Sequence, residues 1–168
     1  MSLKNQSPAK TGLNSFNTMK DCVFCLIVEG KIPAAKIWEN DEFLAFLDNR
    51  PNTKGMTLVI PKKHYDSYVF RMENKPYQNF FLAAKEVANL LERAFNIPRV
   101  IMVMEGLGVN HAHVKLYPVH GLKEDFELME PEETIFFEEF SGYTTTLSGP
   151  PVELEELEKL ASEIRKHN

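Results

Sequence analysis

Positive charge is in short supply in this chain. Its 168 residues carry 19 Lys and Arg against 24 Asp and Glu, a formal net charge of −5. A nucleic-acid binder carries a basic surface, so composition argues against that class. It leaves room for a small nucleotide, which needs only a few local donors. Long apolar runs are missing too. None approaches the ~18 residues of a membrane span, and the first twenty residues lack the apolar core of a signal peptide. The expectation is a cytoplasmic protein with no membrane contact. There is no internal repeat. Cysteine is limited to Cys22 and Cys25, in D-C-V-F-C. In a reducing compartment such a C-x-x-C pair is a metal half-site or a redox pair more often than a structural disulfide. A redox role would need a thioredoxin-like βαβ context, which the following sequence does not resemble.

What is present is a globular mixture, 43% hydrophobic and 26% charged, long enough for one domain with a real core. Residues 1–20 are polar, rich in Lys, Asn and Ser, and read as a disordered leader. VFCLIVEG (23–30) reads as a short helix with a glycine stop. Residues 35–39 and 42–48 carry β-branched and aromatic side chains around Asn40-Asp41, a tight-turn pair, and read as a hairpin. NRPNTKG (49–55) is a loop by its Pro, Asn and Gly content. MTLVIP (56–61) is nearly continuously apolar, as in a strand buried on both faces.

From Pro76 to Phe95 the period changes. Phe80, Ala84, Val87, Ala88, Leu91 and Phe95 recur every three or four residues and build one apolar stripe on a long helix. RVIMVME (99–105) is a fourth strand, the Gly106–Gly108 stretch a loop, and 111–118 a fifth strand. Beyond residue 122 the character shifts. Residues 123–140 are acidic with interspersed Phe, 142–151 are turn-like around a β-prone middle, and Leu154, Leu157, Leu160, Ala161 and Ile164 mark a final amphipathic helix. The fold class expected is α+β: a mostly antiparallel sheet of about five strands with one long packing helix. The domain spans 21–122, and 123–168 form a C-terminal extension ending in a helix.

The chemistry concentrates in N-H-A-H-V-K-L-Y-P (110–118). In a strand, His111, His113 and Lys115 share one face, while Ala112, Val114 and Leu116 face a core. Taken alone, such a stretch is a solvent-facing polar stripe more often than half of a catalytic cluster or a metal-ligand pair. Ahead of it, however, come C-V-F-C-L-I-V-E-G-K-I-P-A, then F-L-A-F-L-D-N-R-P, then G-M-T-L-V-I-P-K-K-H. In that order and spacing the chain resembles the histidine-triad (HIT) superfamily of nucleotide hydrolases and transferases, from Asp21 to about His120.

The resemblance implies roles for particular residues. The middle histidine of the motif, His113, would be the nucleophile that attacks the α-phosphorus of a nucleotide, giving a covalent nucleotidyl-histidine. Imidazole suits this, being neutral and nucleophilic near pH 7 with an unperturbed pKa of ~6.5. Asp48 matches the acidic residue that holds ribose hydroxyls; read by itself it is a turn aspartate before Asn49 and Pro51. Phe24, Ile27 and Phe46 match positions lining the base pocket, and would otherwise be ordinary core. In the zinc-binding branch of the superfamily, the ligands correspond to Cys22, Cys25, His64 and His111, a Cys2His2 set for structural Zn2+. Relatives commonly pair as homodimers, which would place 76–95 near an interface.

The chain departs from the pattern at three places. Lys115 replaces the third histidine; lysine keeps a positive charge and three donors, but is a poor proton shuttle with an unperturbed pKa of ~10.4. Met56 stands where many relatives have a fourth histidine. The loop before the motif is only E-G-L-G-V-N (105–110), leaving Asn110 and the amides around Gly108 as phosphate donors in place of the usual Gln and Ser or Thr. That loop is equally readable as a tight turn with no ligand. Three functions therefore compete. One is a nucleotide hydrolase or nucleotidyl transferase acting on a phosphoanhydride or phosphoramidate. The second is a zinc-stapled nucleotide-binding module with little turnover. The third is an interaction protein working through its C-terminal arm.

Overall fold

Strict alternation of side chains along β-strands lets one five-residue segment feed two cores, and this is how the sheet is built. The computed structural model describes residues 22–124 and 150–168. The leader, the acidic Phe-containing stretch beyond residue 124 and the 142–149 segment therefore lie outside the described residues. Among the described residues the order is α1 (Val23–Val28), β1 (Lys36–Glu39), β2 (Phe43–Leu47), β3 (Thr57–Pro61), α2 (Asn74–Phe95), β4 (Val100–Val103), β5 (Val114–Pro118) and α3 (Leu154–Arg165). A single 3-10 turn, Val69–Arg71, precedes α2. All strand pairs are antiparallel, in the order β1-β2-β3-β5-β4. This is the expected α+β architecture with a five-stranded antiparallel sheet and a long helix.

The β1–β2 hairpin closes where Asn40 and Asp41 predict it. The Asn40 Oδ1 accepts from the Glu42 and Phe43 amides at 2.9 and 2.8 Å, a side-chain-built turn. In β2, Phe43, Ala45 and Leu47 point to one face and Leu44 and Phe46 to the other, each set in its own apolar cluster. Val59 joins the first set, and Leu58 and Ile60 the second. Both strands are buried throughout.

The first face is covered by α2, whose Phe80, Val87 and Leu91 are wholly buried; each such side chain contributes about 1.5–3 kcal/mol by leaving water. The helix ends at Asn96, which takes the left-handed conformation (φ 49°), and the amide of the next residue, Ile97, donates to Glu92 O at 3.2 Å. The C-terminal helix joins the same core through Leu157, Ala161 and Ile164. At least this part of the extension is packed structure, not a free arm. The second face is covered by the short α1, through Phe24 and Ile27.

Two sequence readings need correction. The fifth strand begins at Val114, not at residue 111. The backbone just before it is engaged elsewhere: the His111 amide donates to Val109 O at 2.8 Å and the Ala112 amide to Tyr65 O at 2.9 Å. The alternation of faces nevertheless runs through, with Ala112, Val114 and Leu116 in the α2 core. The opposite face is not a solvent-facing stripe. His111 is fully buried and His113 is 3% exposed, because α1 lies over them.

Candidate active site and metal centre

Burial makes the tautomer of each histidine legible, because a carbonyl oxygen only accepts. The His113 Nδ1 lies 2.7 Å from the backbone oxygen of His111. It must therefore carry the proton, which leaves Nε2 as the lone-pair nitrogen of the neutral ring. The His111 Nε2 lies 2.8 Å from Pro61 O at the end of β3. By the same logic the His111 lone pair is on Nδ1. The two neighbouring histidines thus present opposite nitrogens to different surroundings.

The His111 Nδ1 faces sulfur. It is 3.4 Å from Cys22 Sγ and 3.6 Å from Cys25 Sγ, and His64 Nδ1 is 3.3 Å from Cys25 Sγ. The four ligand atoms of Cys22, Cys25, His64 and His111 lie within 4.8 Å of one another. A tetrahedral Cys2His2 site with the usual zinc bond lengths spaces its ligand atoms about 3.3–3.8 Å apart. The three distances above fall in that range, so this donor set fits a metal ion. The Pro61 carbonyl supplies the outer bond that orients a ligating histidine. Burial holds the His111 pKa down to about 4, against the opposing pull of the Pro61 carbonyl bond, with the His64 and His113 charges lowering it further. Burial also pushes the Cys25 thiol up to about 11, aided by the bond and charge of Cys22. Without a metal, burial keeps His111 and the Cys25 thiol uncharged near neutral pH.

His113 lines a different space. A cavity of about 360 Å³ is bounded by α1 (Phe24, Ile27), β2 and its exit (Phe46, Asp48), the Leu107–Val109 loop, His113 and Lys115. The walls are mostly apolar with a few polar groups, the usual make-up of a small-molecule site. Phe24 packs edge-on against Phe46, His111 and His113 at centroid distances of 5.9, 5.7 and 5.5 Å, so α1 holds the histidines and the pocket wall together. The His113 pKa is lowered chiefly by burial, opposed by the His111 carbonyl bond. The Lys115 charge lowers it further, while Glu105 and Asp48 raise it. Asp48 Oδ1 accepts from the Arg50 amide at 2.7 Å, the turn role read from sequence. A carboxylate has a second oxygen, and Asp48 also lines the cavity.

Gly108 lines the cavity with φ 84° and nothing within 4 Å of where a Cβ would sit. Asn110 does not line it. Its Oδ1 accepts from the Ser67 amide at 3.0 Å and ties the loop to the segment after β3, which is a structural use of that side chain. Met56 also lies elsewhere, lining a neighbouring space of about 310 Å³ beneath α3. Of the two substituted histidine positions, only Lys115 shares the cavity with His113.

Three contributors were not anticipated. Leu154 and Leu157 of α3 line the cavity beside Asp48; nothing in their helical spacing says which pocket they would reach. Glu105 pairs with the Lys115 ammonium, with both side chains largely buried. Its only advance signal was a carboxylate at a strand end before a glycine loop.

Fold and site together define an α+β protein with paired histidines at a cleft beside a Cys2His2 cluster. The chain belongs to the HIT family: the HIT domain model matches residues 29–122. An uncharacterised HIT-like protein of Methanocaldococcus jannaschii is 38% identical over 101 residues, covering 58% of this chain and 78% of that one. A hypothetical histidine triad nucleotide-binding protein from Sulfolobus tokodaii has the same fold, with TM-score 0.65, 24% identity and coverage of 87% and 91% of the two chains. So does a Zn-bound histidine triad family protein from Mycobacterium smegmatis, with TM-score 0.57, 23% identity and coverage of 89% and 94%. No described helix is long and apolar enough to cross a membrane.

Proposed function

We propose that this chain is a nucleotide hydrolase or nucleotidyl transferase that works through a covalent nucleotidyl-His113 intermediate. The observation that carries the reading is the 2.7 Å bond from His113 Nδ1 to His111 O, on a side chain lining a cavity of about 360 Å³. It leaves Nε2 unprotonated for attack. In the first half-reaction Nε2 bonds to the α-phosphorus, and the bond to the leaving group breaks with its electron pair going to that group. In the second, water or another acceptor adds to phosphorus, Nε2 departs with its electron pair, and the acceptor's proton is released. Phe24, Ile27 and Phe46 would hold the base, Asp48 the ribose hydroxyls, and Lys115 with the Gly108 amide the phosphate oxygens. Asn110 does not line the cavity and is left out of that set.

The metal belongs to the same proposal. Cys22, Cys25, His64 and His111 would hold Zn2+ as a structural ion, with no open position for substrate. Held there, the ion would tie α1 to the segment after β3, through His64, and to the residue two before the nucleophile. The neighbours of this fold that are nucleotide-binding and Zn-bound support both halves. We also propose a homodimer. A groove of about 640 Å³ between α2 and β4, lined by Tyr77, Phe81, Leu82, Val100 and Met102 among others, supports it.

The test is release of mononucleotide from a panel of dinucleoside polyphosphates and nucleoside phosphoramidates, beside His113→Ala. Activity in the wild type alone supports the enzyme. Equal background rates from both would sink it. The Glu105-bound Lys115 favours one alternative, a nucleotide-binding module with little turnover, for which the same panel shows no release while titration with mononucleotide shows binding.

A further inference from the structure

The geometry points to Glu105 as a positioning residue that sets the charge selectivity of the cavity. The inference rests on the nucleotide reading above and goes on to the class of nucleotide the site accepts.

Lys115 is the one cationic side chain among the described residues lining the cavity, and its ammonium is bound to the Glu105 carboxylate. The side chains are 20% and 12% exposed, so solvent screens the pair poorly. Glu105 itself does not line the cavity. It lies just past β4, whose Val103 pairs with Lys115 across the sheet, so the carboxylate sits behind the lysine and holds its Nζ. Separating a largely buried pair leaves an uncompensated charge on each side, so the lysine is not free to swing out toward a ligand. An ammonium has three N–H donors, and Glu105 need occupy only one. The others remain for a phosphate oxygen.

The result is a donor that carries little net positive field. Asp48 lies on the same cavity and adds a negative charge. Counting the carboxylates and the ammonium alone, the lined and backed cavity holds two negative charges and one positive. Polyphosphate sites need cationic surplus or a metal, because like charges in a confined site repel strongly. This cavity instead matches a phosphorus centre bearing a single negative charge, with an uncharged or cationic leaving group. Polyphosphates, with their additional charge, are disfavoured, and Glu105 is the residue that disfavours them. The third-histidine position has thereby become a neutralised hydrogen-bond donor.

The test compares equilibrium affinities of the zinc-loaded protein for AMP and for the non-hydrolysable α,β-methylene analogue of ATP. Glu105→Gln keeps the shape and an acceptor for Lys115 but removes the charge. It should tighten the triphosphate analogue by about tenfold more than AMP, as a unit charge near a phosphate chain implies. Glu105→Asp should keep the wild-type ratio. The double variant Glu105→Gln with Lys115→Gln removes both charges, and should weaken both ligands while leaving their ratio within about threefold of wild type. An unchanged ratio in Glu105→Gln overturns the inference, as does a double variant whose ratio moves outside that threefold range. Wild type that binds neither nucleotide at millimolar concentration fails differently: it overturns the functional reading itself, and this inference with it.

Discussion

The Nδ1 of His113 sits 2.7 Å from the backbone oxygen of His111, so one histidine's main chain sets the tautomer of the other's ring. Meanwhile the His111 side chain turns toward Cys22 and Cys25. A metal held by His111 would therefore fix the very residue whose carbonyl orients the nucleophile. The two roles are carried by adjacent parts of one residue.

His113→Ala should abolish nucleotide release, by at least about a thousandfold, since removing a nucleophile removes the whole covalent path. Acid-quenched wild type should carry a mass increment of one nucleotidyl group, and the variant none. A variant that keeps the adduct would move the nucleophile to another residue.

Chelation should matter to folding more than to the pocket chemistry. Elemental analysis should find about one zinc per chain, and Cys25→Ala or His64→Ala should lower it well below half. Because binding energy in such a site is folding energy, stripping the ion should cut the thermal midpoint by about 10 °C or more. Metal-free and metal-loaded proteins with the same midpoint would contradict a structural ion.

Much of this architecture was readable from composition and periodicity. The aromatic residues of 42–48 beside the Asn40-Asp41 turn pointed to a strand, the three-to-four-residue stripe from Phe80 to Phe95 to a helix, and both elements formed. The histidine pair, Asp48 and the two cysteines were found through motif order. What was not readable came from tertiary placement. Six residues of α1 carry too little pattern to say that they would roof His111 and His113, so alternation alone left the pair readable as a wet stripe. The tie from the Ser67 amide to Asn110 Oδ1 was not readable either, because it joins positions 43 apart in sequence. Met56 and Leu154 each line a space whose walls come from distant elements.

The metal-free protein should weaken in acid, and His111 gives the window. Its folded pKa of about 4 lies below the ordinary 6.5, so the unfolded chain takes up a proton first as pH falls. Stability from this group is therefore present above pH 6.5, declines as pH drops toward 4, and levels off below it. The difference amounts to at most about 3 kcal/mol. Urea titrations of chelator-treated protein across that range should show the slope, and His111→Gln should reduce it, leaving the share of His113, whose pKa burial also lowers. A slope unchanged in His111→Gln would assign it to other groups.

Lys115→His tests whether proton transfer limits turnover. An imidazole at that position can exchange a proton near neutral pH, where an ammonium holds its own. On substrates with poor, basic leaving groups the rate should rise by about tenfold or more, within the usual range of general acid catalysis. On activated leaving groups, which need no proton, it should stay level. Equal effects on both kinds would show that the change acts on binding.

The groove between α2 and β4 gives the last expectation. Leu82 and Met102 are 59% and 46% exposed, large apolar side chains on one continuous face with Phe81 and Val100. Such a face is better covered than wet, and a second copy of the chain would place α2 against α2. Both side chains already reach solvent, so a charge there costs the monomer little but is desolvated in a pair. Leu82→Glu or Met102→Glu should therefore convert a sedimenting dimer to monomer at micromolar concentration and leave the thermal midpoint of dilute protein nearly unchanged. Wild type that sediments as a monomer at all concentrations would remove the homodimer. Dimer unaffected by either charge would move the interface to another face.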